Sequence, residues 1–285
     1  MYAELYGTLE FDEVYEKASD WLRLLARSEI RVKVLLILNE GTKKLGQLRE
    51  MLDLSSSTIL HAMRGMEVEG LIEHTEIGYT LSNVGKIQAI LVNDMIKTIA
   101  VLSKDKDFWL THDLSGIPEY LLKRIGELNG CEVVVATPED ILKIFSSYFQ
   151  MITSAKEMRS LTSIFHPDFP DAVKALVKRR ANVELILTRN VMEKMIETDR
   201  DILESLIPEA NFGLWLIDEE VKETFTITDS ALSLGFYRHD GAYDVATDLI
   251  ARGDVALNWG RDLFEYYRKR AKMIGLDDIG TELTS

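Results

Sequence analysis

The 285-residue sequence contains a single cysteine, Cys131, and only 5 prolines. One thiol cannot form an intramolecular disulfide, and it excludes redox pairs and zinc sites built from several cysteines. Apolar runs such as Val34–Leu38 are far shorter than the ~18–20 residues that a membrane-spanning helix needs. The first residues are acidic and lack the apolar segment of a secretory signal. We therefore expect a cytoplasmic protein that makes no membrane contact.

Basic residues are also scarce, since 33 Lys and Arg stand against 47 Asp and Glu and give a net charge of −14. A negative charge on the whole chain argues against nonspecific coating of nucleic acid and against binding to an anionic membrane surface. The imbalance is uneven, because residues 20–86 carry as many basic as acidic side chains. A neutral segment within an acidic chain is compatible with a local DNA-reading module of modest, salt-sensitive affinity.

Two segments of different hydrophobic periodicity meet near residue 105. Before it, apolar residues recur at helical spacing, with Ser28 and Thr42 as expected helix caps and a small hairpin around Gly78. After it, strand-like runs alternate with helical stretches, which predicts right-handed crossovers and a mainly parallel, covered sheet. The predicted strands are 133–136, 161–165, 183–187, 212–217 and 231–236.

The fold class expected from these patterns is α+β with two domains. A winged helix–turn–helix with an N-terminal helix would occupy residues 1–82, and an α/β domain residues 107–285. Residues 83–106 between them predict one long helix, whose apolar residues cover a face broad enough for two contacts. This helix either packs against its copy in a homodimer or simply bridges the two domains.

The order of elements in residues 28–86 is helix, short helix, turn, helix, hairpin, which is the order of a winged helix–turn–helix. A helix that enters the major groove favours small hydroxyl side chains in its first turn, where its backbone and positive end approach phosphate. One turn later, side chains spaced three apart share a face and reach bases or phosphates. The candidate DNA contacts on this helix are Ser56, Ser57, Thr58, His61 and Arg64.

Further candidate DNA contacts flank that helix. His74 and Tyr79 belong to the predicted wing, where they would touch the sugar–phosphate edge. Lys43 and Lys44 open the preceding short helix and add positive charge. The simpler interpretation of the serines is helix capping alone, and that of His61 is an ordinary surface side chain.

Several motifs in this region resemble those of ArsR/MarR-type regulators, namely the segments Leu52–Thr58, Glu69–Ile72 and Gly78–Ser82. Nearer the C-terminus, the motifs Asp240-Gly-x-Tyr-Asp244 and Trp259-Gly-x-x-Leu-Phe264 occur. Together with the winged helix, they resemble the archaeal methanogenesis-regulator family, which has a Fil-type sensor domain. The resemblance implies a cytoplasmic, DNA-binding transcriptional regulator.

The α/β alternation of the second domain is also similar to that of phospholipase-D-like sensor domains. Active enzymes of that class need a His-x-Lys motif, but none of the five histidines has lysine two residues later. Without this nucleophile and its lysine there is no phosphodiesterase chemistry to propose. Dinucleotide-binding, P-loop and metalloprotease motifs are missing as well, so we expect no enzyme activity, no cofactor and no metal.

The function expected from the sequence is therefore a homodimeric regulator that binds double-stranded DNA. A small effector or a partner at the α/β domain would change the arrangement of its two recognition helices. No residue is assigned to effector binding. The alternative is a protein-interaction adaptor that uses the winged helix as a docking surface.

Overall fold

The computed structural model describes residues 8–281, so the outer limits of both predicted domains, residues 1 and 285, lie outside the described residues. The chain divides after Ile96 into two compact units. The first is mainly helical and the second contains a large sheet, so the fold is mixed α+β. None of the helices between residues 8 and 281 combines the length and apolar character needed to cross a bilayer.

The elements of the first unit follow the predicted order. They are α1 (Thr8–Ala26), α2 (Glu29–Asn39), α3 (Leu45–Leu52), α4 (Ser56–Val68), β1 (Ile72–Thr75), β2 (Gly78–Leu81) and α5 (Asn83–Lys104), which continues into the second unit. Strands β1 and β2 form an antiparallel hairpin. The helices share one core, because α2 buries Val34 and Leu38 and α4 buries Ile59, Met63 and Met66.

The cap predicted for α2 is confirmed, whereas the one predicted for α3 is wrong. The backbone N–H of Arg31 donates to Ser28 Oγ over 3.4 Å at the start of α2. Thr42 does not cap α3, because Lys43 pairs with Tyr79 in an antiparallel bridge and keeps the chain extended. The helix therefore begins only at Leu45.

The second unit begins with short helical segments and continues as a sheet with connecting helices. Its elements are α6 (Lys106–Thr111), α7 (Glu119–Leu122), a 3-10 turn (Ile125–Leu128), β3 (Glu132–Val135), α8 (Lys143–Thr153), β4 (Glu157–Thr162), α9 (Phe169–Lys178), β5 (Asn182–Thr188), α10 (Arg189–Leu206), β6 (Phe212–Ile217), β7 (Glu223–Thr228), β8 (Leu232–Phe236), β9 (Thr247–Ala251), α11 (Asp254–Arg268), β10 (Lys272–Met273) and α12 (Leu276–Thr281). The strands form one sheet in the order β10-β6-β5-β4-β7-β8-β9-β3.

The expectation of a mainly parallel sheet is wrong, because the sheet is mixed. Only β4–β5 and β5–β6 pair in parallel, and these strands are joined by the crossover helices α9 and α10. The other pairings are antiparallel. After β6 the connections to β7 and β8 are only a few residues long, too short for a parallel crossover.

The strand predicted at 161–165 lies earlier, at β4, and the predicted strands do not include β7, β9 or β10. The polar start of β4 is held by ladders to β5 on one side and β7 on the other. The spacing of apolar residues along the chain does not indicate such pairing between strands.

The two faces of the sheet differ around β7. Phe225, Leu234 and Leu249 point into a core that includes Trp259 of α11. Because side chains alternate along a strand, their neighbours Thr226, Ser233 and Asp248 lie on the opposite face. Polar side chains thus form part of a buried sheet surface.

Candidate nucleic-acid interface

The first turn of α4 holds a small group of hydroxyls. Ser55 precedes the helix, and its Oγ accepts a hydrogen bond from the backbone N–H of Thr58 over 3.2 Å. The same Oγ lies 2.9 Å from Ser57 Oγ and 2.8 Å from Thr58 Oγ1. Ser57 and Thr58 are exposed, whereas Ser56 is half-buried. The capping role thus belongs to Ser55, and two of the three predicted hydroxyl contacts face solvent beside the positive end of the helix.

The outward face of α4 continues from these hydroxyls to His61 and Arg64. Ser57, His61 and Arg64 are spaced at i, i+4 and i+7, so they form one stripe, and all three are exposed. Within residues 8–281, the side chains of His61 and Arg64 have neither a hydrogen-bond nor an ion-pair partner. The guanidinium of Arg64 is therefore available for a base edge or a phosphate.

The wing brings three of the predicted residues together. His74 and Tyr79 are opposite each other on β1 and β2, and their rings stack with centroids 4.4 Å apart. The backbone of Lys43 pairs with Tyr79 through two hydrogen bonds of 2.9 and 3.0 Å. Gly78 permits this approach, because a Cβ there would lie 2.6 Å from Lys43 O and its φ is +143°. The wing thus carries His74 and Tyr79 and is paired with Lys43, while Lys44 is exposed at the start of α3.

Sequence reasoning passed over Arg49, which lies in the last turn of α3. It is exposed, and its side chain has no partner among the residues that the structure describes. The sequence could have indicated this residue, because Arg49 directly follows the core residue Leu48 on the helix that precedes α4 and therefore points away from the core. Acidic side chains offset this basic group, since Glu73 and Glu76 are exposed on the wing.

Helix α5 carries an exposed apolar stripe. Val84, Ile87, Leu91 and Met95 recur at i, i+3, i+7 and i+11, and each is more than half exposed. The buried side of the same helix carries apolar residues as well, including Val92. A solvent-facing apolar row of this kind is typical of a surface that another chain covers.

Two family models match most of the chain. Residues 19–100 match the N-terminal domain of the methanogenesis regulatory protein FilR1, and residues 141–270 match its middle domain. The methanogenesis regulatory protein FilR1 of Methanothrix harundinacea (strain 6Ac) is 33% identical over 264 residues, which cover 90% of this chain and 59% of that protein. The chain thus spans about three fifths of the length of this curated relative.

Solved structures give weaker likenesses. The archaeal chromatin protein TrmBL2 has a TM-score of 0.42 at 14% identity, over 82% of this chain and 89% of that chain. The phospholipase D family member Nuc from Salmonella typhimurium has a TM-score of 0.38 at 16% identity, over 51% of this chain and 99% of that chain. Neither likeness is close enough to assign a fold or a function.

Proposed function

Because this chain belongs to the FilR1 family of methanogenesis regulatory proteins, we propose that it is a transcriptional regulator that binds double-stranded DNA as a homodimer. Helix α4 would enter the major groove and the β1–β2 wing would lie along the adjacent backbone. The observation that carries the proposal is the exposed stripe on α4, where hydroxyls at the helix start are followed by the unpaired Arg64.

The two parts of the interface would have different tasks. Ser57 and Thr58, beside the positive end of α4, suit phosphate oxygens, and Ser56 lies in the same turn. His61 and Arg64 are one turn further along, where side chains reach base edges. Lys43, Lys44, His74 and Tyr79 would contact the backbone and fix the orientation of the module. Since acidic side chains offset these cations, we expect modest affinity that depends on salt.

The homodimer would form through the stripe on α5. Two half-sites one helical turn apart require two copies of the module related by a two-fold axis. Such an axis places the same patch of both copies face to face, and an apolar row on a helix is complementary to itself. Ile87 and Leu91 lie in the middle of the row and would be its central contacts.

The second unit would act as the sensor. A small effector or a partner bound there changes DNA binding only if its affinity differs between DNA-competent and incompetent states. The relative is named as a regulatory protein, which supports a regulator without enzyme activity. The phospholipase-D-like character of this unit and the cytoplasmic location stay predictions.

Arg64→Ala tests the interface directly. We expect its affinity for a DNA fragment from the upstream region of its own gene to fall about tenfold or more, because one bidentate contact to a base contributes about 1–3 kcal/mol. Fluorescence anisotropy with labelled DNA measures this change. Urea unfolding should be nearly unchanged, since Arg64 is exposed and its side chain has no partner in residues 8–281.

Arg252→Ala is the matched control, because Arg252 is an exposed arginine of the second unit and the charge change is the same. Its effect on DNA affinity should be small. If both variants lost DNA affinity equally, Arg64 would contribute only through the overall charge of the protein and not through a specific contact. DNA binding that survives Arg64→Ala unchanged would favour the adaptor alternative, in which the winged helix docks a protein.

A further inference from the structure

A cavity lies between α8 and the sheet of the second unit. It encloses about 60 Å³ of free space. Since one water molecule occupies roughly 10–15 Å³ on this scale, the cavity has room for about four to six non-hydrogen atoms. Its lining residues come from α8, from the start of α9, from four adjacent strands and from nearby loops. The strands contribute Ser160, Thr226, Ser233 and Asp248, and His166 lies in the loop before α9.

The floor of the cavity is polar although it is buried. Ser160 pairs with Thr226 across β4 and β7, and Thr226 pairs with Ser233 across β7 and β8. These hydroxyls bond to one another, with 2.8 Å between Ser160 Oγ and Thr226 Oγ1. A sheet face covered by a helix is ordinarily apolar, because buried polar groups cost free energy unless they have partners. Small polar side chains on three neighbouring strands therefore indicate a surface built for a polar ligand.

Asp248 is the charged group of this floor. Only 5% of it is exposed, and its Oδ2 accepts a hydrogen bond from Ser233 Oγ over 2.7 Å. Among the described residues, no lysine, arginine or histidine forms an ion pair with it. A buried carboxyl either takes up a proton or pairs with a cation, so a bound cation would stabilise Asp248 in its ionised form.

Aromatic rings also line the cavity, and the Tyr148 hydroxyl lies 3.2 Å from Thr226 Oγ1 of the floor. Phe145, Tyr148 and Phe149 of α8 and Tyr243 line the same cavity. Gly235 makes room for Tyr243, because a Cβ at Gly235 would lie 2.0 Å from its hydroxyl oxygen. Ring faces attract cations, most strongly where water is excluded. His166 lines the cavity as well, with its ring 4.7 Å from that of Phe145 and 5.0 Å from that of Phe149. The Asp248 carboxyl and the aromatic lining both favour a ligand of positive charge.

We propose that this cavity binds a small organic ammonium ion, whose charged nitrogen pairs with Asp248 and whose short apolar part packs on the rings of α8. The hydroxyl groups of the floor accept the remaining N–H bonds. An anion would be repelled by the ionised carboxyl, and a neutral alcohol would leave its negative charge without a partner. The claim that this ligand is the effector of the regulator rests on the proposed function, whereas the claim that it binds the cavity does not.

The test uses the full chain without DNA and three probes of the same chain length. They are n-butylammonium, n-butanol and butyrate, titrated by calorimetry at pH 8, where Asp248 is ionised. Thermal unfolding is the check, since a ligand that binds only the folded state raises the melting temperature. We expect n-butylammonium to bind at least tenfold more tightly than n-butanol, and butyrate not to bind. Asp248→Asn should remove the preference for the ammonium ion, because it keeps the shape and loses the charge.

Two further variants separate the effect of the Asp248 charge from other effects of substitution. Phe145→Leu leaves the carboxylate in place and should weaken ammonium binding severalfold, because it removes a ring face. Asp201→Asn removes an exposed carboxylate of α10 and should leave binding unchanged. The proposal is overturned if no probe binds, if n-butanol or butyrate binds as tightly as the ammonium ion, or if Asp201→Asn has the same effect as Asp248→Asn. DNA affinity measured without any probe tests the regulator separately.

Discussion

Leu91→Asp is expected to convert a homodimer into monomers and to weaken binding to two-half-site DNA by about a hundredfold or more. Leu91 is 59% exposed in the middle of the apolar row on α5, so a charge there does not disturb the core of the first unit. In a dimer interface, however, the two-fold axis would bring two unpaired carboxylates into an apolar contact. The DNA effect follows because linked half-site binding exceeds single half-site binding by roughly 10²–10⁴.

Sedimentation velocity reports the mass, and fluorescence anisotropy reports the DNA affinity. The monomer has a mass of 32.5 kDa, so a dimer is readily distinguished. Val255→Asp is the matched control, because it places the same charge on an exposed apolar residue of α11 in the second unit. This control should remain dimeric and bind DNA normally. A wild-type protein that is monomeric under the same conditions, or a Leu91→Asp variant that stays dimeric, would contradict the assigned interface.

Two buried carboxyl groups, those of Asp248 and Glu223, are expected to make the free energy of unfolding depend on pH. Burial raises the pKa of Asp248 from 3.8 to about 7, against hydrogen bonds from Ser233 and the Leu249 backbone that lower it. Burial likewise raises the pKa of Glu223 from 4.5 to about 7, although the Tyr267 hydroxyl donates to it. The other carboxyl oxygen of Glu223, Oε2, is buried and has no hydrogen-bond partner among the residues that the structure describes. Both groups therefore stay mainly protonated in the folded protein below about pH 7.

The sign of the pH effect follows from these raised pKa values. When the pH is below the pKa of each carboxyl in the unfolded chain, the folded and the unfolded protein both hold the proton. These groups then do not lower the free energy of unfolding. As pH rises from about 4 to about 7, the unfolded chain releases its protons first, so the free energy of unfolding falls. Above pH 7 the loss from Asp248 levels off, at up to about 4 kcal/mol.

Asp248→Asn should therefore resemble the wild type near pH 4 and be more stable than it near pH 8, as measured by urea unfolding. Glu223→Gln should show a second, largely separate gain, because alternation along the strands places the two carboxyls on opposite faces of the sheet. Asp201→Asn, at an exposed position, should follow the wild-type curve. A wild-type stability that does not fall between pH 4 and 8 would be inconsistent with two buried protonated carboxyls.

The first unit could be predicted well from the sequence because its signals are local. The apolar spacing around Ile59 and Met63 defines α4, and the turn at Gly78 defines the wing. The resemblance to methanogenesis regulators is confirmed by the matches to both FilR1 domain models. The start of α3 was misplaced because the bridge between Lys43 and Tyr79 joins residues that are distant in sequence.

The second unit was harder because pairing between distant strands decides its sheet. Strand β7 reads Glu-Thr-Phe-Thr-Ile-Thr, whose alternation is a usable strand signal, but its place between β4 and β8 is set by tertiary contacts. The cavity depends on that placement, because Ser160, Thr226, Ser233 and Asp248 come from four different strands. Spacing along the chain alone could not bring them together.

The most direct test of the central claim is DNA binding across a salt series. The purified protein is titrated with a fragment from the upstream region of its own gene and, separately, with a scrambled fragment of equal length. We expect tighter binding to the native fragment and a linear fall of log affinity with log salt, whose slope counts the phosphate contacts. Equal binding to both fragments at every salt concentration, or no binding even at low salt, would contradict a DNA-reading function for α4 and its wing.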